Sequence, residues 1–242
     1  MQPIVTLTDR CRKCYSCVRS CPVKALKIEK THPEIIFDRC IGCGNCLETC
    51  PQNAKVIADK VSVTERYLSS PEPVIAVLGS SFPTFFHQVS PGQLASGLKK
   101  LGFAEVHEGA YGSELIAPAY AKAIESSSLP LISSHCPAVV DLIERHYPKL
   151  IDNLVPVVSP MVAIGRFLKS LNGNAIKIVY ISSCIAAKFE IRSEGAIGAI
   201  DEVLTYQELD AMFKARSISL PALTETAFDG LQPQQGRLFP IT

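Results

Sequence analysis

Eight of the ten cysteines fall within the first fifty residues, in two runs that share one spacing. Each run has three cysteines separated by two residues, then a fourth after three further residues and directly before a proline. The first run begins at Cys11 and the second at Cys40. Thiolates at this spacing bind 4Fe-4S clusters, and the fourth thiolate of each run binds the other cluster. The predicted chemistry is therefore the storage and transfer of single electrons.

This crossed pattern predicts two sets of cluster ligands. The set for the first cluster is Cys11, Cys14, Cys17 and Cys50, and the set for the second is Cys40, Cys43, Cys46 and Cys21. Zinc sites usually use two separated Cys-x-x-Cys pairs, and disulfide scaffolds belong to small secreted proteins. Two full copies of one spacing favour the clusters over both alternatives. Gly42 and Gly44 are expected to let backbone amides approach the second cluster.

A small scaffold must position the two runs. Residues 3 to 60 resemble the two-cluster bacterial ferredoxins, and the resemblance implies a pseudo-twofold βαββαβ fold, an α+β ferredoxin-like domain at 1–60. Apolar stretches at 4–7 and 35–37 are predicted to be two of its strands. The polar stretch 61–72, with prolines near its end, is predicted to be a linker.

From residue 73 onward, apolar runs alternate with helical patterns. The predicted strands lie at 74–78, 129–132, 176–181 and 200–204. The predicted helices lie at 91–101, 113–125, 138–147, 161–171 and 206–214. Such alternation predicts an α/β domain with a mainly parallel sheet over 73–242. Ligands of such sheets collect at the carboxyl ends of the strands.

The two remaining cysteines lie at such strand ends. Cys136 follows the predicted strand 129–132, and Cys184 follows the predicted strand 176–181. A free cysteine often has only a packing role. The shared placement, at the start of a helix whose N-terminal amides stabilise a thiolate, favours a pair of ligands instead.

Residues 72 to 240 resemble the large catalytic subunit of the iron-iron hydrogenases. The string SSHCPAVVDLIERHYPKL from Ser133 looks like the family's first motif, and SSCIAAKFE from Ser182 looks like the second. Cys136 and Cys184 match ligands of the family's active-site cluster, and Glu190 matches an acidic position. The resemblance implies a third cofactor, a further 4Fe-4S or diiron-linked cluster, at these two cysteines.

Several residues depart from the family's motifs. His135 stands where catalytic members have a proton-relaying cysteine; a histidine carries protons near neutral pH, although an ordinary loop residue is an equal alternative. We expect His135 and Glu190 to form a proton relay. Ala187 replaces the motif's lysine, Lys188 is expected to point elsewhere, and Ser182 replaces a shielding methionine. These variants resemble the family's sensory branch.

The family's last two cluster ligands lie in a downstream cysteine segment, which this sequence does not reach by Thr242. We therefore expect a fragment of a longer protein, or a second chain that completes the lobe. A lobe that no longer binds the active-site cluster is the remaining alternative.

Two functions stay open. The first is a hydrogenase-like subunit, a ferredoxin-linked oxidoreductase that relays electrons to a cluster site where hydrogen is exchanged or sensed. The second is a non-catalytic redox-sensing or docking module for electron transfer. A cytosolic iron-sulfur assembly factor is a third alternative. The expected partner is a redox protein, either a ferredoxin or an oxidoreductase subunit.

Composition limits the remaining function classes. A net charge of +1 provides no field that recruits nucleic acid or an anionic membrane. No apolar run reaches the ~18 residues of a membrane helix, and the first residues do not resemble a signal peptide. Cysteines spaced for metal rather than for disulfides predict a reducing, cytoplasmic and anaerobic setting.

Overall fold

The computed structural model describes residues 3–173, 175–234 and 236, so residues 237–242 of the predicted second domain lie outside it. The first part of the chain has the predicted βαββαβ order. Its elements are β1 Ile4–Thr6, α1 Ser16–Ser20, β2 Leu26–Glu29, β3 His32–Ile35, α2 Asn45–Glu48 and β4 Lys55–Ile57. Strand β1 pairs antiparallel with β4, and β2 pairs antiparallel with β3. The α+β ferredoxin-like fold is confirmed.

The strand predicted at 35–37 is wrong beyond its first residue. Strand β3 ends at Ile35, and Phe37–Arg39 form a short 3-10 helix. The amide of Cys40 donates to the carbonyl oxygens of Ile36 and Phe37, each at 3.1 Å. The chain turns here because it must lead directly into the second cysteine loop.

The second part of the chain has a four-stranded, wholly parallel sheet. Its strands are β5 Val74–Leu78, β6 Glu105–Glu108, β7 Lys177–Ser182 and β8 Glu202–Thr205. They lie side by side in the order β6-β5-β7-β8. The expected α/β lobe with a mainly parallel sheet is confirmed. No helix in the described part of the chain is long and apolar enough to cross a membrane.

Helices cover both faces of this sheet. The helices of this part are α3 Val61–Leu68, α4 Phe82–Phe85, α5 Pro91–Leu101, α6 Ala110–Ser126, α7 Pro137–His146, α8 Pro160–Asn172, α9 Ala187–Glu190 and α10 Tyr206–Ala215. All five residues of β5 are buried. Side chains alternate across a strand; Ala76 therefore packs with α5 and α10, whereas Ile75 packs with α8.

The strand predicted at 129–132 is absent. The structure has a single bridge there, between Ile132 and Leu154. Pro130 has no backbone N–H to contribute to a strand ladder, and Leu129 is 52% exposed. The fourth strand is instead β6. Its sequence, Glu-Val-His-Glu, is mostly charged and only alternate residues are buried, so it lacks the continuous apolar run by which the other strands were predicted.

The predicted linker contains a helix. Residues 61–72 begin with α3, and the adjoining Lys60 is anchored in the lobe. Its amide donates to Oε1 of Glu208 at 2.8 Å, and its Nζ lies 3.0 Å from Oε2 of Glu202. The segment is therefore tied to the sheet, and the domain boundaries on either side of it stay predictions.

A buried ion pair within the lobe lies against the end of the first part of the chain. The Nζ atom of Lys188 lies 2.8 Å from both carboxylate oxygens of Glu208 and 3.5 Å from the carbonyl oxygen of Ala58. Glu208 also closes the capping box of α10 with Thr205. Burial lowers the pKa of Lys188, and the carboxylate of Glu208 opposes this shift. The carboxylate of Glu208 thus caps α10 in the lobe and holds the lysine that contacts Ala58. We call the first part of the chain, residues 3–60, the cluster-bearing part.

The second cysteine loop packs against the segment that follows β7. A Cβ atom at Gly42 would lie 2.9 Å from Cδ2 of Phe189, and one at Gly44 would lie 2.7 Å from Cδ1 of Ile185. The rings of Phe37 and Phe189 stack with their centroids 5.9 Å apart. These contacts hold the second cysteine loop directly beside the loop that carries Cys184.

Substitution of Lys188 by alanine should destabilise the protein by about 3–5 kcal/mol, because the carboxylate of Glu208 stays buried without its cation. The matched control is Lys214→Ala, which removes a 77% exposed lysine paired with Asp210 on the same helix as Glu208 and should cost less than about 1 kcal/mol. Denaturant unfolding of both variants measures the difference. Equal losses of unfolding free energy would contradict the role given to the buried pair.

Substitution of Gly42 by alanine should disturb the contact between the cysteine loop and Phe189. Gly42 has a φ of 67°, and Gly198 has a φ of 82° with nothing within 4 Å of a Cβ. The backbone cost of about 1–2 kcal/mol is shared by both substitutions, whereas the collision adds about 1–3 kcal/mol to Gly42→Ala alone. Unfolding midpoints of the two variants test this, and a Gly198→Ala variant that is equally destabilised would refute it.

Candidate cluster sites

The eight predicted cluster ligands border two separate cavities. One cavity, of about 330 Å³, is bordered by Cys11, Cys14, Cys17 and Cys50. The other, of about 340 Å³, is bordered by Cys21, Cys40, Cys43 and Cys46. We call them the first and the second cavity. The structure thus brings together the two predicted sets, while ligation itself stays a prediction.

The donors of each cavity surround a volume and do not meet at a point. Among the described residues, no three His, Cys, Asp or Glu side chains converge as they would on one metal ion. A 4Fe-4S cubane presents four irons, each bound by one thiolate. Four thiols spread around a cavity are therefore the donor set that such a cluster requires.

The two cysteine loops follow the same backbone path with different residues. The first loop has left-handed φ angles at Lys13 and Tyr15, and the second has them at Gly42 and Gly44. Side chains are thus accommodated at these positions in the first loop. Glycine is required in the second because the lobe lies against it, a reason that the sequence alone did not reveal.

The environment of the sulfurs differs between exposed and buried cysteines. Burial raises the pKa of Cys46 to about 12, although the positive charge of Lys55 opposes the shift. Hydrogen bonds at Ser16 lower the pKa of the exposed Cys14. Since metal binding requires the thiolate, the thiol of Cys46 keeps its proton at neutral pH until a metal binds.

A third cavity, of about 480 Å³, lies at the carboxyl ends of β5, β6 and β7; we call it the lobe cavity. Its wall includes Gly79 after β5, Gly109 after β6 and Ser182 at the end of β7. Cys184 and Glu190 also border it. The parallel sheet therefore collects its polar loop residues where such sheets bind ligands.

Cys136 and Cys184 lie close enough to interact electrostatically. Burial raises the pKa of the Cys184 thiol, and the charge of Cys136 acts in the same direction. At Cys184 the backbone amides of Ala186 and Ala187 favour the thiolate as expected, but burial outweighs them, and α9 has only four residues. Cys136 is the N-cap of α7, but no strand precedes it in the sheet. The pair provides two sulfur donors.

His135 and Glu190 both border the lobe cavity. His135 is 7% exposed, and burial lowers its pKa. Burial also raises the pKa of Glu190 to about 7, against a hydrogen bond from Ser159. The Oε2 atom of Glu190 is buried and has no hydrogen-bond partner within the described ranges. A carboxyl group with this pKa is able to accept and release protons at neutral pH.

The lobe cavity also contains residues that sequence analysis missed. Ser81 lies on its wall and shares hydrogen bonds with Ser183 at 3.1 Å and with Tyr206 at 3.0 Å. Ala187 faces the cavity. Lys188, the next residue, is held by Glu208 where the lobe meets Ala58, a region that we call the junction.

Comparisons with known proteins agree with this architecture. Residues 70–242 match the family described as "Iron only hydrogenase large subunit, C-terminal domain", and residues 3–59 match the "4Fe-4S dicluster domain". Iron hydrogenase 1 of Clostridium pasteurianum is 28% identical over 172 residues, which are 64% of this chain and 30% of that protein. The periplasmic Fe hydrogenase large subunit of Nitratidesulfovibrio vulgaris is 29% identical over 186 residues, which are 68% of this chain and 44% of that protein.

A solved structure has a similar fold. A variant of the FeFe-hydrogenase HydA1 from Chlamydomonas reinhardtii superposes with a TM-score of 0.59 at 25% identity, covering 72% of this chain and 51% of that chain. This chain thus spans less than half the length of both curated relatives. The chain belongs to the iron-only hydrogenase large-subunit family, and a 4Fe-4S dicluster domain precedes the family's domain.

Proposed function

We propose that this chain is the electron-relay part of a hydrogenase-type protein, in which two 4Fe-4S clusters exchange single electrons with a site in the lobe cavity. One observation carries the proposal: the second cysteine loop packs directly on the segment that carries Cys184. The segment that contacts the second cysteine loop through Ile185 and Phe189 also lines the lobe cavity through Cys184 and Ala187. The cytoplasm is the proposed location, because the chain's cysteines are spaced for metal.

The chain's thiols would hold the two clusters in the crossed arrangement. The thiols of Cys11, Cys14, Cys17 and Cys50 fit the first cavity, and those of Cys21, Cys40, Cys43 and Cys46 fit the second. When bound, the clusters supply reversible one-electron storage. The protein's contribution is to fix the two cavities side by side and to press the second against the lobe.

Cys184, on the wall of the lobe cavity, and Cys136, which lies in the sequence between the lining residues His135 and Pro137, would supply two thiolates to a third cluster. A cubane takes about four thiolates, so this donor set is half complete within the described residues. We propose that a further segment or a second chain supplies the others. Glu190 and His135 would exchange protons at the cavity wall, where the carboxyl group of Glu190 titrates near neutral pH.

A redox-sensing or docking role without turnover is the second candidate. The observation that favours it is the position of Lys188, whose ammonium group binds Glu208 and Ala58 at the junction. The adjoining Ala187 presents only a methyl group to the lobe cavity. In either role, electrons must pass to a redox partner, which we propose is a ferredoxin or an oxidoreductase subunit.

Iron and acid-labile sulfide content after anaerobic reconstitution tests the proposal. We expect about eight irons in the first and second cavities together, and near twelve if a small thiol in the mixture completes a third cluster. The double variant Cys136→Ala, Cys184→Ala should return to about eight, because it removes both lobe donors.

The outcomes separate the candidates. About eight irons in both the wild-type protein and the double variant would contradict a third cluster and support the docking role. A wild-type protein that binds far fewer than eight irons would refute the relay itself. The variant Cys43→Ala, at an exposed ligand position of the second cavity, serves as the positive control for losing a cluster.

The raised pKa of Glu190 predicts a pH-dependent stability. Since the pKa rises from about 4.5 in the unfolded chain to about 7 in the folded protein, the folded state binds the proton more tightly. Stability should fall as pH rises from about 4.5 to 7 and then level off, a loss on the order of 1–3 kcal/mol. Glu190→Gln should flatten this part of the stability curve, measured by thermal unfolding.

The exposed Glu194 provides the control for this measurement, because it lies on the same segment. Glu194→Gln should leave the pH profile of the wild-type protein unchanged. A Glu190→Gln variant that keeps the wild-type profile would show that folding does not raise the pKa of this carboxyl group.

A further inference from the structure

The first and second cavities differ at one equivalent position of the cysteine repeat. Counting five residues on from the last cysteine of each run gives Leu26 after Cys21 and Lys55 after Cys50. Leu26 borders the second cavity, and Lys55 borders the first. The repeat therefore places an apolar side chain beside one predicted cluster and a cationic side chain beside the other.

Lys55 is held in the interior of the cluster-bearing part. It is 4% exposed, and its Nζ atom donates to the carbonyl oxygen of Pro33 at 2.9 Å and to Oγ1 of Thr6. Thr6 in turn donates to the same carbonyl oxygen at 2.8 Å. Within the described residues Lys55 has no acidic partner at ion-pair distance. A buried ammonium without a counterion is costly, so a nearby anion must offset it.

The anions available to this ammonium are the thiolates of the first cluster's predicted ligands. Lys55 shares the wall of the first cavity with Cys11, Cys14, Cys17 and Cys50. The described wall of the second cavity does not include it.

The other features of the two cavities are either equivalent or add to the difference between Lys55 at the first cavity and Leu26 at the second. The amide of Ala25 donates to Sγ of Cys21 at 3.2 Å, and the amide of Ala54 donates to Sγ of Cys50 at 3.3 Å, so these hydrogen bonds to sulfur are equivalent. The remaining walls are not equivalent. The first cavity has polar residues, and the second is mostly lined by the apolar residues Ile4, Pro22, Val23, Ala25, Ile35 and Ile41.

We propose that Lys55 determines on which cluster the electron resides, because it raises the reduction potential of the first cluster above that of the second. The inference rests on the proposed ligation of both clusters. Reduction adds one electron and one negative charge to a cluster, with no bond formed or broken. A fixed cation on the wall stabilises that charge, and apolar surroundings destabilise it.

The order of potentials gives the relay a direction. The second cavity lies against the lobe through Gly42 and Phe189, and the first is the more polar of the two. An electron arriving from the lobe cavity would pass through the second cluster and rest on the first. The chain would then favour electron flow out of the lobe toward a redox partner.

Redox titration followed by electron paramagnetic resonance tests this order in the reconstituted full chain. Two variants remove the charge: Lys55→Gln retains a donor for Thr6 and Pro33, and Lys55→Met does not. We expect both to shift the first cluster's one-electron equilibrium at least tenfold toward the oxidised state, which is a lowering of about 59 mV. The second cluster should shift less.

A matched control and two marker variants complete the design. Lys27→Gln removes the same charge from a 55% exposed side chain next to Leu26 and should leave both potentials unchanged. Cys14→Ser and Cys43→Ser alter exposed cysteines of the first and second cavities, which assigns each signal to its cluster.

The results separate this inference from the ligation on which it rests. About eight irons per chain, with an unchanged first-cluster potential in Lys55→Gln, would overturn the role of Lys55 and leave the relay standing. A wild-type protein whose first cluster is no easier to reduce than its second would also overturn it, whether or not the variants fold. Failure of the wild-type chain to bind two clusters would instead overturn the proposed ligation.

Discussion

The contact between the second cysteine loop and the segment after β7 is the constraint on which the rest of this structure depends. The backbone at Gly42 and Gly44 approaches Phe189 and Ile185 so closely that a Cβ atom would collide with either side chain. Phe189 belongs to the same apolar core as the cysteine loops. Since this segment also presents Cys184 to the lobe cavity, the packing that completes one site also places the other.

Charge at the junction is arranged around this apolar contact. Lys188 is one residue away from the position that faces the lobe cavity, and its ammonium group binds Glu208 on α10. Lys60 reaches Glu202 and Glu208 from the other side of the junction. The Lys188–Glu208 pair lies within the lobe and touches the first part of the chain at the carbonyl oxygen of Ala58, 3.5 Å from Nζ. Removing one partner of such a pair leaves a buried charge uncompensated.

The sequence determined the parts of this fold whose signal is local. Two full cysteine runs predicted the grouping of the eight thiols, and the apolar run at Val74–Leu78 and the helical pattern at 91–101 predicted β5 and α5. Local reasoning failed where tertiary contacts decide. Charged residues concealed the half-buried edge strand β6, and the apolar stretch at 129–132 lies at the surface. The reason for glycine at position 42 emerged only once Phe189 was seen beside it.

The place of Phe189 in the core of the cysteine loops has a consequence for synthesis of the chain. The loops are complete when residue 58 has been made, yet the ring that covers them follows about 130 residues later. At typical translation speeds this interval lasts roughly ten seconds. During that time the nascent cysteine loops lack the ring that covers them in the folded chain, so this apolar core closes only after the lobe segment has been made.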